Sequence, residues 1–157
     1  MINAPVERCF RLAISVDVQL HAARKAARVE RGLTSGLLSP GNEVSYRGLQ
    51  VGQRYTIVLD EWRPYTYFSD VRLDGPFVRF EHKHHFTTMD DGTWMREEIR
   101  FALRLPVLRK ARERIVRKRI SKFLAARGAT IKQAAESDGW RDFLEGQPAI
   151  DLHPRMR

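Results

Sequence analysis

The sequence predicts an α+β domain in which a curved antiparallel sheet wraps around a long C-terminal helix. Between residues 43 and 105, segments rich in β-branched and aromatic residues are separated by short turn sequences, which is typical of antiparallel strands. From about residue 107 to 136 there is no turn cluster, and apolar residues recur every three to four positions, which indicates one amphipathic helix with a possible interruption at Gly128. The sheet is the available partner for the apolar stripe of this helix.

Two short helices are predicted before the sheet. Pro5 occupies a helix-start position, and the apolar residues of APVERCFRLA follow at helical spacing. A second short helix is predicted over QLHAARKAARV, residues 19–29. The turn sequence SPGN then leads into the first predicted strand.

At least five successive antiparallel strands follow. Their sequences are EVSYRGL, QRYTIVLDEW, YTYFSDVRL, FVRFEHKHHFTT and TWMREEIRFALRL. The last two are joined by MDDGT, in which an Asp-Gly pair indicates a β-hairpin. With residues 91–92 as the two-residue loop, the predicted pairs are Phe86 with Glu97, His84 with Ile99, and His82 with Phe101.

The length and composition favour one domain. The chain has 157 residues, of which 43% are apolar, and this is enough for a real core and a modest cavity. We assign residues 1–136 to a single domain and 137–157 to a weakly ordered tail, in which Trp140, Phe143 and Leu144 can dock weakly. The single cysteine, Cys9, excludes an internal disulfide, and we find neither a signal-peptide pattern nor a membrane-length apolar run. A cytoplasmic location is therefore expected.

The charge is concentrated in the long helix. The net charge is +9, and one segment supplies an excess of that size because it holds ten basic residues and one acid, Glu113. The basic residues are Arg109, Lys110, Arg112, Arg114, Arg117, Lys118, Arg119, Lys122, Arg127 and Lys132. No aromatic residues alternate with these charges to stack on bases. We expect only weak, non-specific, salt-dependent attraction to nucleic acid or anionic membranes.

Alternation orients the histidines of GPFVRFEHKHHF, residues 75–86. One strand face carries Phe80, His82, His84 and Phe86, and the other carries Arg79, Glu81, Lys83 and His85. The second face is charged and must meet solvent, so His82 and His84 point inward. In the predicted register Glu97 is an inward diagonal neighbour of His84.

Three interpretations of His82, His84 and Glu97 remain open. They can be polar residues of a cavity wall that are satisfied by one another, by water or by a ligand. They can form an acid–base pair, because a desolvated Glu beside His suits proton transfer. Metal binding is disfavoured because only three ligands are visible and Thr88 stands where a cupin-type pattern needs Glu, so we expect no metal and no cofactor. We also expect Glu97 to resist ionisation, His84 to resist protonation, and the two to titrate as a unit.

The sequence that contains these residues resembles sequences of the START/birch-pollen-allergen-like helix-grip superfamily (polyketide cyclase/dehydrase and lipid transport). The resemblance covers roughly residues 2 to 127 and is greatest to a bacterial subgroup with the pattern W…FxD…GPFxxWxHxHxF…GT…D-x-V-x-Y-x-L-P. The corresponding residues here are Trp62, FSD at 68–70, GPFVRFEHKHHF, Gly92-Thr93, Glu97, Ile99 and Phe101. The chain departs from the pattern at Phe80 for Trp, Glu97 for Asp and Phe101 for Tyr, and Pro106 comes two residues late.

The resemblance implies a seven-stranded sheet gripping the helix, with an apolar cavity between them. The first strand is expected to be mostly missing, through either a misplaced start codon or a frayed sheet edge. Proteins of this superfamily mostly bind hydrophobic small molecules, and some are aromatases or cyclases of polyketides.

We therefore expect a protein that binds a hydrophobic small molecule of lipid, polyketide or aromatic type in an internal cavity. The alternative is a cyclase/dehydratase-type enzyme that uses a His/Glu acid–base pair in the same cavity. Because nothing in the sequence resembles an activated nucleophile or a cofactor loop, binding is preferred. The candidate ligand-binding residues are Trp62, Phe80, His82, His84, Glu97, Ile99 and Phe101; His82, His84 and Glu97 are the catalytic candidates. All of these except Trp62 are expected to line the cavity.

Overall fold

The computed structural model of the chain describes residues 1–24, 26–48, 54–74, 77–104 and 109–152. It confirms the α+β class, with a six-stranded antiparallel sheet in the order β1-β2-β3-β4-β5-β6. The elements are α1 (Val6–Ala13), α2 (Val16–Ala22), β1 (Arg28–Gly32), β2 (Glu43–Arg47), β3 (Arg54–Arg63), β4 (Tyr67–Arg72), β5 (Phe77–Met89), β6 (Gly92–Leu103), α3 (Arg109–Ala135), a 3-10 turn (Asp138–Trp140) and α4 (Arg141–Leu144). The predictions for Gln53, for Gly75 and Pro76 and for residues 105–108 fall outside the described residues.

The N-terminal helices cover one side of the main core, which is the larger of two clusters of buried apolar residues. The face of α1 that carries Cys9, Phe10 and Leu12 is fully buried. Two residues after α1, Ser15 caps α2, because its hydroxyl accepts a hydrogen bond from the backbone N–H of Val18.

The second predicted helix was placed wrongly. The helix α2 ends at Ala22, and residues 28–32 form the edge strand β1, which pairs with β2. Arg24 adopts a left-handed backbone conformation with φ of 49°, which ends helical geometry. Since most side chains of β1 are exposed, this strand has no clear apolar alternation by which it could have been recognised.

The hairpin between β5 and β6 has a register two residues away from the prediction. Met89 pairs with Gly92, so the loop is Asp90–Asp91. The observed pairs are Phe86 with Met95, His84 with Glu97, His82 with Ile99, and Phe80 with Phe101. A shift of two leaves every side chain on its predicted face, because side chains alternate with period two.

The long helix α3 continues through Gly128 without interruption. Its second half carries most of the buried apolar contacts, through Phe123, Ile131 and Ala135. The predicted apolar stripe is wrong for the first turns, because Ala111 is exposed and Ile115 is 55% exposed. None of the described helices combines the length and apolar character needed to cross a bilayer.

The N-terminal residues contact the sheet, and the segment 138–144 contacts the main core. Where the resemblance implies a first strand, Ile2 forms a single antiparallel bridge with Thr93. In the segment after α3, Leu144 of α4 is buried in the main core, and Trp140 and Phe143 pack against it. The boundary at residue 136 between domain and tail stays a prediction.

Candidate ligand-binding site

A buried polar cluster lies on the inner face of the sheet and is closed by α3. Strand β4 supplies Asp70, β5 supplies His82 and His84, β6 supplies Glu97, and α3 supplies Arg127. Alternation brings the strand residues to one face, and the register places Asp70 opposite His82 and Glu97 opposite His84. We refer to these five residues as the polar cluster.

His84 lies between two carboxylates. Its Nε2 is 3.1 Å from Oδ1 of Asp70, in hydrogen-bond geometry, and its Nδ1 is 3.2 Å from Oε1 of Glu97. The ring also stacks on Phe68, with centroids 4.0 Å apart and planes inclined by 16°. These contacts hold the orientation of an imidazole that is only 1% exposed.

His82 is held more loosely in the same cluster. Its Nδ1 is 3.4 Å from Oδ1 of Asp70, and its Nε2 is 3.7 Å from Oε1 of Glu97. Its ring centroid is 3.8 Å from that of His84. Among the described residues, no group forms a hydrogen bond with Nε2 of His82 or with Nδ1 of His84. Because buried polar atoms normally have at least one hydrogen-bond partner, these two nitrogens favour binding of water, a ligand or an ion.

Arg127, which we counted among the basic residues of the long helix, belongs to this polar cluster and is buried. It is 2% exposed, its Nη1 pairs with Oε1 of Glu97, and its Nη2 donates a hydrogen bond to the backbone carbonyl of Ala13. The helical spacing Ile120, Phe123, Arg127, Ile131 places Arg127 on the apolar stripe, and this signal could have identified it.

Asp70 is the other residue that sequence reasoning missed as a site residue. The resemblance included it in FSD, but no function was assigned to it. Its position on β4 two residues after Phe68 puts both on the inner face, and that alternation was available in the sequence.

The ionisation predicted for Glu97 is wrong. Burial opposes its charge, but Arg127 and the two histidines hold the pKa of Glu97 well below its ordinary value. In the same way the adjacent imidazoles of His82 and His84 outweigh burial and lower the pKa of Asp70. Burial lowers the pKa of His82 to about 4, so His82 is neutral at pH 7. The cluster therefore contains two carboxylates that are ionised at neutral pH.

A cavity of about 20 Å³ adjoins the polar cluster. This volume accommodates about one water molecule, whereas sites for drug-sized ligands measure roughly 300–1,000 Å³. Of the six predicted lining residues, Phe80, His82 and His84 line the cavity, and the remaining lining comes chiefly from the main core.

The other candidate binding residues are not among those that line the cavity. Glu97, on β6, belongs to the polar cluster and contacts His82 and His84, which do line it. Ile99 and Phe101 pack in a second, smaller apolar cluster. Trp62 packs edge-on against Phe10, with centroids 5.2 Å apart, as part of the main core.

The second apolar cluster lies under the first half of α3. Its buried members are Phe77, Phe80 and Ile120, packed against Ile99, Phe101, Leu103, Val116 and Leu124. Along β5, His82 and His84 separate this cluster from Phe86 of the main core. The polar cluster thus stands between two apolar regions, one large and one small.

The observed architecture is that of helix-grip proteins. A START superfamily protein from Mycobacterium smegmatis matches with a TM-score of 0.63 and 10% identity, covering 84% of this chain and 92% of that one. The protein TTHA0849 from Thermus thermophilus matches with a TM-score of 0.62 and 20% identity, covering 87% and 94%. Ara h 8.0201 matches with a TM-score of 0.52 and 14% identity, covering 83% and 92%.

Neither a protein-family model nor a curated protein sequence matches this chain. The structural matches show the fold, which is that of the START/birch-pollen-allergen-like helix-grip superfamily, as the sequence resemblance implied. The bacterial subgroup, the cytoplasmic location and the weak attraction to nucleic acid or membranes stay predictions.

Proposed function

We propose that this protein binds a small molecule that has an apolar body and a polar end group. The observation that carries the proposal is the polar cluster, which lies between two apolar regions and contains imidazole nitrogens without hydrogen-bond partners among the described residues. A polar end group placed there would supply those partners, and an apolar body would contact the second apolar cluster.

Binding a ligand of this kind requires the first half of α3 to move. The cavity holds about 20 Å³, so the ligand must displace side chains that now fill the interior. The second half of α3 is anchored in the main core by Phe123 and Ile131, whereas Ile120 is the principal buried residue of the first half. We expect the ligand to enter between α3 near Ile120 and the hairpin β5–β6.

Native mass spectrometry of freshly purified protein is the first experiment. The expected result is a fraction of molecules carrying a co-purified apolar compound, which tandem spectrometry would assign to lipids, polyketides or other aromatics. A second arm titrates the protein with a fluorescent fatty acid. The absence of both a co-purified compound and saturable binding would contradict the proposal.

Variants at Ile120 test where the apolar body binds. Ile120→Ala should enlarge the space next to Phe80 and change affinity for the fluorescent fatty acid several-fold, whereas Ile120→Trp should fill that space and weaken binding. Ile115, which is 55% exposed on the same helix, provides the matched controls Ile115→Ala and Ile115→Trp. Equal effects at the two positions would place the ligand elsewhere.

The polar end of the site is tested with Glu97→Gln. This change removes the charge that faces both histidines and Arg127, so affinity for a ligand with a polar head should change. Arg96→Gln is the control because this neighbouring side chain points outward and is 56% exposed. Far-UV circular dichroism confirms that each variant is folded. Identical binding by the two variants would show that Glu97 does not contact the ligand environment.

The enzymatic alternative uses the same residues. As a neutral imidazole beside the cavity, His82 is the candidate base, because its Nε2 has no hydrogen-bond partner among the described residues. If the co-purified compound is converted to a product on incubation, and His82→Gln still binds it without converting it, the enzyme proposal is the better one.

A further inference from the structure

We propose that Asp70, His82 and His84 bind one divalent transition-metal ion. The Oδ1 atom of Asp70 lies 3.4 Å from Nδ1 of His82 and 3.1 Å from Nε2 of His84. One ligand atom from each of the three side chains lies within 4.8 Å of the others. Metal bonds of about 2.0–2.1 Å separate neighbouring ligand atoms by roughly 3.0 Å in octahedral and 3.4 Å in tetrahedral geometry. The two distances to Asp70 therefore match those of ligands around a shared ion, and the two histidine nitrogens, which lie within 4.8 Å of each other, would approach to about 3.4 Å on binding.

The ligand types indicate the class of ion. Two imidazoles and one carboxylate suit Zn²⁺, Fe²⁺, Co²⁺ or Ni²⁺, whereas Mg²⁺ and Ca²⁺ prefer sites made of oxygen ligands. All three side chains line the cavity of about 20 Å³, which leaves space for a water molecule as a further ligand. Such a site would keep an open coordination position facing the interior.

The surroundings of His84 fit the same assignment. With Nε2 directed to the ion, Nδ1 faces Oε1 of Glu97 at 3.2 Å. A histidine that ligates a metal usually directs its other ring nitrogen to a carboxylate or carbonyl, which fixes the ring and increases its basicity. Glu97 is itself held by Arg127. Glu97 is therefore inferred to be a positioning residue for the metal ligand His84.

The metal assignment depends on the geometry of the ligands and not on an excess of negative charge. The two carboxylates of the polar cluster are accompanied by Arg127, and Arg72 lines the same cavity. Metal ligation requires both imidazoles to be neutral. The sequence disfavoured a metal because only three ligands, His82, His84 and Glu97, were visible. In the structure Asp70 takes the place of Glu97 in the set of three, and the adjoining cavity has space for a water molecule as the fourth ligand.

This inference does not depend on the proposed binding of a small molecule, and its experiment uses the metal alone. Full-length protein is treated with a chelator, dialysed and titrated with Co²⁺. We expect one equivalent of Co²⁺ per chain with visible ligand-field absorption, displacement of Co²⁺ by Zn²⁺, and a higher midpoint of thermal unfolding in the presence of either ion.

Variants locate the ion. Asp70→Asn and His84→Gln should each weaken Co²⁺ binding at least 100-fold, whereas Glu97→Gln should weaken it 10- to 100-fold through the orientation of His84. His85→Gln is the matched control, because His85 is the next residue of β5 and belongs to the outer face. It should bind Co²⁺ as the wild type does.

The wild-type protein provides a test that does not require any variant to fold. Proton NMR of its Co²⁺ form should show paramagnetically shifted signals from two imidazole rings. The proposal is overturned if folded wild-type protein takes up no stoichiometric Co²⁺ or Zn²⁺, if those imidazole signals are absent, or if folded Asp70→Asn and His84→Gln bind as tightly as His85→Gln.

Discussion

At the level of single residues, the contact between Arg127 and Glu97 joins α3 to the sheet inside the protein. Replacing Arg127 with Met would leave the carboxylate of Glu97 buried without its cation, since both side chains are largely shielded from solvent. Loss of one partner of a buried ion pair costs about 3–5 kcal/mol. We expect urea denaturation to show a fall of this size in the free energy of unfolding.

The matched control for this variant is Arg119→Met, because Arg119 is exposed on the same helix. A surface substitution of this kind changes stability by about 0.5 kcal/mol or less. The double replacement Arg127→Met with Glu97→Leu should recover part of the loss, since no buried charge is then left without its partner. If Arg127→Met and Arg119→Met are equally stable, the ion pair does not stabilise the fold.

At the level of elements, Gly92 determines how the N-terminus meets the β5–β6 hairpin. Its φ is +141°, and a Cβ atom there would stand 2.2 Å from the backbone carbonyl oxygen of Ile2. Gly92→Ala should therefore destabilise the protein by about 1–3 kcal/mol. Hydrogen exchange should show lost protection of the amides that bridge Ile2 and Thr93.

Gly128→Ala is the control for this prediction. Gly128 lies inside α3, and nothing stands within 4 Å of a Cβ added there. Alanine is favoured over glycine inside a helix by about 0.5–1 kcal/mol, so this variant should be more stable than the wild type. Destabilisation by Gly128→Ala, or a neutral Gly92→Ala, would contradict the assigned packing.

At the level of the whole molecule, the positive charge lies mainly on the outside of α3. Its exposed basic residues include Lys110, Arg112, Arg114, Arg117, Lys118, Arg119 and Lys122. Arg127 is not among them because it is buried. Binding to DNA or anionic vesicles is expected to be weak, independent of base sequence and steeply reduced by salt, because it depends on counterion release.

Two charge reversals test this prediction. Lys118→Glu with Lys122→Glu should weaken retention on DNA more than Arg31→Glu with Arg54→Glu, which changes the net charge equally at exposed positions of the sheet. Electrophoretic mobility shifts over a salt series provide the measurement. A base-sequence-selective complex that survives at about 0.2 M salt would show a dedicated nucleic-acid interface.

The sequence alone determined the fold class and the faces of the strands. Alternation of side chains along a strand is local, so the inward direction of His82 and His84 followed from their neighbours Phe80 and Phe86. The break from strand to helix periodicity likewise predicted α3. The edge strand β1 was not predicted, because its side chains are mostly exposed and show no such pattern.

Only the tertiary structure decided the partners within the site and the space around it. A two-residue change of register preserves every face, so alternation could not reveal that Glu97 lies directly opposite His84. Arg127 reaches Glu97 across 30 positions of sequence, and Asp70 joins His82 from a neighbouring strand. The cavity of about 20 Å³ depends on how closely α3 packs on the sheet, because interior volume is set by the joint packing of distant side chains.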